Sequence, residues 1–220
     1  MNKSKTRKSS SKKNAGMYQL KITLSDTEPP VWRRLLVRGD VNLGLLHSII
    51  QVCMGWTNSH LHEFVLGNKR YSDPKFEMDG DCGGDRVHDE WKTALMEVAT
   101  REKSKFIYEY DFGDSWEHVI LVEKILEPDA SSECAMKCMA GERACPPEDC
   151  GGVWGYAELL EIIKNPKRKD HEEMMDWLGG EFDPEAFNIE HVNIYLQKLK
   201  WPRTTIDQLA KVLMARDGNK

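Results

Sequence analysis

The chain has 220 residues, of which 40% are hydrophobic and 30% are charged, a composition that suits a globular protein of one or two domains. No apolar run approaches the ~20 residues that a membrane-spanning helix needs, and the basic N-terminus has no apolar stretch, which excludes a secretory signal. We therefore expect a cytoplasmic protein with no membrane partner, whose thiols are free or metal-bound.

The net charge of −5 combines two parts of opposite sign. Residues 1–13 contain six basic residues and no acid, so the rest of the chain carries −11. Because a segment rich in Ser and Lys cannot bury apolar surface, residues 1–16 are predicted to be a disordered tail. This tail could contact the phosphates of a nucleic acid, or it could only solubilise the protein. The acidic remainder argues against a broad nucleic-acid groove.

The first part of the chain alternates between strand and helix patterns. Period-two alternation predicts strands in "MYQLKITL" and "VWRRLLVR", with a turn at Pro29 and Pro30 between them. The segment "LGLLHSIIQVCMG" has helical spacing, with Asn42 as the N-cap and Gly55 as the stop. A short strand, "HLHEFVL", precedes an exposed polar excursion over residues 68–86. After it, "SKFIYEYD" and "WEHVILVEKIL" form a hairpin around "FGDS".

Helical patterns fill the C-terminal third. They are "WGYAELLEIIKN", "DHEEMMDWLGG", "NIEHVNIYLQKL" and a short terminal candidate, "TTIDQLAKVLM". In the second helix, Asp170 and Glu173 have capping-box spacing. Strands, a helix, strands and then helices predict an α+β fold, with helices packed on a mostly antiparallel sheet. We predict one domain from 17 to 200 and a C-terminal extension over 201–220.

Cysteines and histidines supply candidate metal ligands. Four of the six cysteines lie within residues 134–150, as C-x3-C, six residues, then C-x4-C, at the wide end of zinc-knuckle spacing. His60 and His62 alternate on a predicted strand, so both rings are expected on one face, where Cys145 and Cys150 could complete a zinc site. The alternatives are buried structural cysteines, or a reactive thiol at a helix N-terminus.

Acidic residues form a second group of candidates. Asp111 and Asp114 flank the hairpin turn, and Glu148 and Asp149 lie in the cysteine loop. With the two histidines they could form a divalent-metal or acid/base cluster. The simpler alternative is that they cap turns and a helix start. Two further ligand-binding candidates, Trp116 and His118, share one face of their strand.

No catalytic signature accompanies these residues. The triplet "DFG" lacks the His-Arg-Asp loop and the Gly-rich loop of a kinase. Neither "HEFVL" nor "HEEMM" has the second histidine of a zincin helix. A phosphate-binding loop and a G-x-S-x-G elbow are also missing from the sequence. Whether the protein is an enzyme therefore stays open at this point.

Five motifs occur in order: "PPVWRRLLV", "GWTNSHLHEF", "YEYDFGDSWEHVI", "GERACPPEDCGGVWGY" and "WLGGEFDPEAFN". Over residues 17–200 they resemble the plasmid pRiA4b ORF-3-like family, sometimes described as TnpR-like passenger proteins of insertion elements. The resemblance implies a roll-like α+β fold and an association with mobile DNA, and it brings no particular reaction. The sequence lacks the nucleophilic serine in an Arg-rich setting and the basic helix-turn-helix of a serine recombinase.

Together these features indicate a binding or interaction module with one polar site. We expect "HLH", "DFGDSWEH" and "CPPEDCGG" to lie close together and to hold a metal ion or a small polar ligand. One alternative is a metal-dependent hydrolase that acts on a phosphoester or an amide. Another is a nucleic-acid-associated protein that uses residues 1–13.

Overall fold

The computed structural model of the protein describes residues 15–76, 87–127, 136–200 and 203–217. The basic segment 1–13 lies outside the described residues, as do Cys134 and the second half of the predicted polar excursion.

The strands of the described part form one eight-stranded sheet in the order β5-β4-β3-β6-β7-β1-β2-β8. They are β1 Met17–Leu24, β2 Trp32–Arg38, β3 His62–Leu66, β4 Lys69–Ser72, β5 His88–Asp89, β6 Lys105–Tyr110, β7 Trp116–Leu126 and β8 Met136–Glu142. Neighbouring strands are antiparallel, except for the short parallel pair β4 and β5. The predicted mostly antiparallel sheet is confirmed.

Period-two alternation places the side chains of the central strands. In β7, Trp116, His118 and Ile120 point into the core, whereas the residues between them are more exposed. The β6–β7 register pairs Tyr110 with Trp116, so residues 111–115 form the connecting turn. This is the predicted hairpin, and it brings the turn to the same end of the sheet as the start of β3.

The described helices are α1 Leu43–Met54, α2 Leu95–Val98, α3 Gly152–Ile163, α4 His171–Trp177, α5 Ile189–Leu196 and α6 Ile206–Asp217. Two 3-10 turns, Pro74–Phe76 and Glu90–Lys92, complete the set. All residues of α1 are buried, and Asn42 Oδ1 caps it by accepting from Leu45 N at 2.8 Å. None of the described helices combines the length and the apolar character needed to cross a membrane.

Two local predictions need correction. Helix α4 begins after Asp170 as predicted, but no side chain caps it, because the Asp170 carboxylate accepts from Arg168 Nε instead, at 2.9 Å. Most of residues 68–76 are exposed as predicted, but the segment is not only a loop, because β4 pairs with β3 there and buries Tyr71. Asp73, at the end of β4, is also buried.

Helix α6 packs on the same hydrophobic core as the sheet. Its residues Leu209, Val212 and Leu213 are buried together with α1 and the central strands. Burial of this apolar face is the main stabilisation expected for such a helix. As a consequence, residues near its start, Thr204 and Ile206, lie next to the segment that precedes β3.

Candidate functional site

One residue from each of the three segments meets the others. His60 Nδ1 lies 3.6 Å from Asp111 Oδ2, and His60 Nε2 lies 3.2 Å from Asp149 Oδ1. Nitrogen and carboxylate oxygen atoms of these residues all lie within 4.8 Å of one another. We call His60, Asp111 and Asp149 the His60 triad. Within the described ranges it is the single group of three or more His, Cys, Asp or Glu residues with this geometry.

The hairpin turn positions the Asp111 carboxylate. Asp111 adopts a left-handed backbone conformation with a φ of 58°, and its Oδ1 accepts from Gly113 N at 3.0 Å and Asp114 N at 3.4 Å. Aspartate favours such turns because its side chain can bond its own backbone. One carboxylate oxygen therefore holds the turn, while Oδ2 faces His60.

Glu148 fastens the proline loop, residues 145–152, to the sheet. Its carboxylate accepts from the Tyr110 hydroxyl at 2.5 Å and from both the backbone N–H and the hydroxyl of Thr57. Trp56 adds a second tie by donating from Nε1 to Pro146 O at 3.0 Å. Two of the three partners of the loop, Trp56 and Thr57, follow α1, and the third, Tyr110, ends β6. These bonds hold the loop beside His60 and the hairpin turn.

Asp114 joins the hairpin turn to the start of α3. Its Oδ2 accepts from Gly151 N at 3.2 Å. Gly152 has a φ of 66°, and a Cβ atom there would lie 2.6 Å from Asp114 O. Only glycine fits such a conformation and so close a backbone approach. The glycine pair thus serves the packing of the loop against the turn.

The residues predicted to bind zinc do not assemble. No three of His60, His62, Cys145 and Cys150 have ligand atoms within 4.8 Å of one another. The reason is that β3 begins at His62, so the two rings do not share a strand face, and His62 faces Glu90 instead. Burial raises the pKa of the Cys145 thiol and raises that of Cys150 to about 12, the reverse of what a reactive thiol needs.

Trp116 and His118 lie in the core beneath the site. Both are fully buried, and the His118 ring meets the Trp56 ring edge-on at 5.1 Å. His118 Nδ1 donates to Tyr108 O at 3.2 Å, which fixes the ring. Burial lowers the pKa of His118 to about 4. These two ligand-binding candidates therefore pack behind the residues of the His60 triad.

A cavity of about 440 Å³ opens beside the His60 triad. It lies between α1, the segment before β3, the two 3-10 turns, the hairpin turn and the start of α6. His60 and Asp111 belong to its lining, and its apolar lining residues are Leu61, Phe76, Phe112, Ile206 and Leu209. Its lining also includes several buried polar residues, of which we call His47, His62, Asp73 and Glu90 the polar floor.

The two imidazole rings of the floor stack on each other. The rings of His47 and His62 are 3.4 Å apart and within 3° of parallel. His47 Nε2 donates to Asn58 Oδ1 at 2.7 Å, so its Nδ1 accepts from the Tyr108 hydroxyl at 2.8 Å. The Tyr108 hydroxyl in turn accepts from Gln51 Nε2 at 3.0 Å. This chain of bonds sets one neutral tautomer for His47.

Glu90 completes the floor with one unused oxygen. Its Oε2 is hydrogen-bonded to His62 Nε2 at 2.8 Å, whereas its Oε1 has no partner among the described residues. Burial raises the pKa of Glu90 to about 7 and lowers the pKa values of His47 and His62 to about 3. At neutral pH both rings are therefore uncharged, and the Glu90 carboxyl is partly protonated.

The comparisons with known proteins agree with this fold. Residues 16–191 match the model of the family described as plasmid pRiA4b ORF-3-like protein. The uncharacterized protein y4hQ of Sinorhizobium fredii (strain NBRC 101917 / NGR234) is 38% identical over 193 residues, which cover 86% of this chain and 96% of that protein. A crystal structure of the protein of unknown function MM3350 from Methanosarcina mazei Go1 superposes with a TM-score of 0.70 and 35% identity, covering 81% of this chain and 97% of that one. The chain therefore belongs to the plasmid pRiA4b ORF-3-like family.

Proposed function

We propose that the protein is a binding module that takes a small polar ligand into the cavity beside the His60 triad. The observation that carries this proposal is Glu90, a lining residue of the cavity whose buried Oε1 has no hydrogen-bond partner among the described residues. A buried polar atom without a hydrogen bond costs about 1–3 kcal/mol. A ligand with a donor group at this position would recover that free energy.

The shape and composition of the cavity support the same proposal. Pockets for small molecules are mostly apolar, with a few polar groups that orient the ligand, and they measure roughly 300–1,000 Å³. The cavity, at about 440 Å³, has apolar walls and a polar floor. The bonds from Gln51 through Tyr108 to His47 hold that floor in place before any ligand arrives, which reduces the entropic cost of binding.

A fragment screen with two variants of α6 tests this proposal. Ile206 lines the cavity near its rim, so Ile206→Trp should obstruct the entrance. Met214 lies on the same helix, is 74% exposed and does not line the cavity, which makes Met214→Trp the matched control. Small polar fragments that bind the wild type in ligand-observed NMR should be lost by Ile206→Trp and kept by Met214→Trp.

Two results would contradict the cavity as a binding site. One is a set of fragments that bind Ile206→Trp as well as they bind the wild type. The other is a library of several hundred small polar compounds from which none binds the wild type.

The geometry of the His60 triad supports a second candidate function, the binding of a divalent metal ion. Zinc bonds to histidine nitrogen and carboxylate oxygen at about 2.0–2.2 Å, so atoms that share one ion lie within about 4.4 Å of one another. The triad requires only small side-chain movements to reach this geometry. One nitrogen and two oxygens suit zinc or manganese and leave coordination positions open. An open position is what the metal-dependent hydrolysis of a phosphoester or amide would require.

Metal binding can be measured directly on protein purified without a histidine tag. Titration with Zn²⁺ or Mn²⁺ should give one site per chain, and Asp149→Asn should weaken it at least tenfold. Asp207→Asn, which removes an exposed carboxylate at the start of α6, is the control and should bind normally. Equal affinity for the wild type and Asp149→Asn would reject the triad as the metal site.

The basic segment 1–13 supports a separate proposal, contact with nucleic acid. Six cations can release condensed counterions from a phosphate backbone, so the affinity should fall steeply with salt. Deletion of residues 1–16 should remove salt-sensitive binding to DNA or RNA. Binding that survives this deletion would assign the contact to another part of the chain.

A further inference from the structure

We infer that the cavity takes an organic cation, a small primary amine whose ammonium group lies against Glu90 and whose apolar part extends toward Phe76 and Phe112. This inference rests on the proposed ligand-binding function and specifies the chemical class of the ligand. It is carried by the charges that line the cavity, by the free oxygen of Glu90 and by the apolar rim.

The charges of the cavity lining are one-sided. Three of the described lining residues carry carboxyl groups, Asp73, Glu90 and Asp111, and all three are at most 8% exposed. No described lining residue is a lysine or arginine. Within the described ranges, no lysine or arginine forms an ion pair with any of these three carboxyl groups. Buried carboxylates without a cationic partner favour a positively charged ligand.

The histidines of the floor do not balance this charge. Both ring nitrogens of His47 already bond neutral partners, Asn58 and the Tyr108 hydroxyl, and burial lowers the pKa of this ring, so it stays neutral at physiological pH. Asp73 accepts two neutral donors, Trp91 Nε1 at 2.9 Å and the Lys75 backbone N–H at 3.0 Å. These bonds position its carboxylate through neutral partners. A turn of the Glu90 side chain toward the cavity would let an ammonium group donate a charge-assisted hydrogen bond to its unpartnered Oε1. The nearby Asp73 carboxylate would add a favourable electrostatic field.

The arrangement of the floor favours an organic cation over a metal ion. The oxygen and nitrogen atoms of Asp73, Glu90 and His62 do not come within 4.8 Å of one another as a group. They are therefore too widely spaced to coordinate one ion, whose ligands must converge on about 2 Å. A primary ammonium group needs only one short hydrogen bond to a carboxylate, and the remaining carboxylates can attract it from a longer distance.

The apolar rim suits the carbon chain of such an amine. Phe76 and Phe112 line the cavity and are each 48% exposed. Trp91 also lines it, but its ring packs against Gly44 and carries the Arg203 guanidinium at 4.6 Å, so it presents mainly an edge. The two phenylalanines are therefore the rings that can cover an alkyl chain.

Three probes of matched size and different charge test the inference on the wild-type protein. They are n-butylammonium, n-butanol and butyrate, each titrated by ligand-observed NMR. Butylammonium should bind at least tenfold more tightly than the other two. Equal or tighter binding of butanol or butyrate would overturn the amine inference while leaving a small-ligand cavity in place. If none of the three has a Kd below about 10 mM, the amine inference falls, and the fragment screen decides separately whether the cavity binds anything.

A variant of Glu90 locates the ammonium group. Glu90→Gln keeps the size of the side chain and removes its charge, and Glu117→Gln removes an exposed carboxylate as the control. Butylammonium should bind Glu90→Gln at least tenfold more weakly and Glu117→Gln normally, while the affinity for butanol is unchanged in both. Unchanged butylammonium affinity in folded Glu90→Gln would overturn the inference. If this variant does not fold, the probe series on the wild type decides the question.

Discussion

The proline loop and the polar floor of the cavity are opposite kinds of site. The loop concentrates prolines, glycines, acids and cysteines within eight residues, yet most of them hold backbone: Glu148 binds Thr57 and Tyr110, and Gly152 packs on Asp114. The floor draws single residues from distant segments, and one of them, Glu90, keeps an oxygen that no described residue uses. A cluster of unusual residues in a loop can thus reflect folding, whereas the proposed ligand site rests on a buried polar atom without a partner.

The largest expected effect concerns the packing of the loop onto α3. A Cβ atom on Gly155 would lie 1.8 Å from Cys150 O, a backbone atom that cannot rotate away. Gly155→Ala should therefore lower the free energy of unfolding by about 3 kcal/mol in urea denaturation. Gly179→Ala is the control, because its φ of 72° is strained but no atom lies within 4 Å of a Cβ there. It should cost about 1 kcal/mol. Similar losses in both variants would contradict the close packing of this loop.

The second effect concerns the floor and depends on pH. Glu90 is faced by His47 from α1, His62 from β3, Asp73 after β4 and Asp89 beside it, and burial raises its pKa from 4.5 to about 7. A raised carboxyl pKa means that the unfolded state releases the proton first, so stability is lost as the pH rises from 4.5 through 7. Between pH 5 and pH 8 this loss amounts to about 2 kcal/mol.

Glu90→Gln separates this term from other titrations. The variant cannot ionise at position 90, so its free energy of unfolding relative to the wild type should rise by about 2 kcal/mol from pH 5 to pH 8. The lowered pKa values of His47 and His62 act in the opposite sense, with stability lost as the pH falls below 6.5, and this term largely cancels between the two proteins. If the difference in the free energy of unfolding between the two proteins were the same at pH 5 and pH 8, the pKa of Glu90 would not be raised, and its carboxyl group would be in contact with water.

A smaller effect is expected for the tie between the loop and the sheet. Glu148→Gln keeps an acceptor for Thr57 and Tyr110 but removes the charge that strengthens these bonds. It should cost about 1 kcal/mol in urea denaturation. The affinity of the cavity for its probes should not change, because Glu148 does not line it. A variant that loses probe binding while remaining folded would show that the loop and the floor act as one site.

The fold was largely predictable from local patterns, and its exceptions have physical causes. Alternation in β7 and helical spacing in α1 are strong because those elements bury a continuous apolar face. Strand β4 was missed because only Tyr71 among its four residues is buried, so no alternation is visible in "KRYS". The predicted capping box of α4 is absent because Arg168 binds the Asp170 carboxylate, and sequence spacing alone does not reveal this competition.

The proximity of the three segments was also predicted, whereas the identity of the site was not. For His47 the sequence contains an indication of a buried polar site, because this histidine lies inside the apolar helix "LGLLHSIIQV", all of whose faces are buried. Glu90 carried none, because it follows a stretch of polar residues and becomes buried only when the 3-10 turn packs beneath His62. His60 meets Asp149, whereas His62 meets Glu90, because β3 begins between the two histidines. That boundary is set by the pairing of β3 with β6, which local sequence does not reveal.

The smallest expected effect distinguishes the two metal sites considered for the loop. If the His60 triad binds the ion, Cys150 is only a half-buried thiol that packs against the core. Cys150→Ala should then change the free energy of unfolding by less than about 1 kcal/mol and leave Zn²⁺ affinity within twofold of the wild type. Asp149→Asn, at the neighbouring position, should weaken the Zn²⁺ affinity at least tenfold. The reverse order, with Cys150→Ala losing the metal and Asp149→Asn keeping it, would restore the thiolate site. The loop would then have to rearrange, because in the present fold no three of the two thiols and two imidazoles converge.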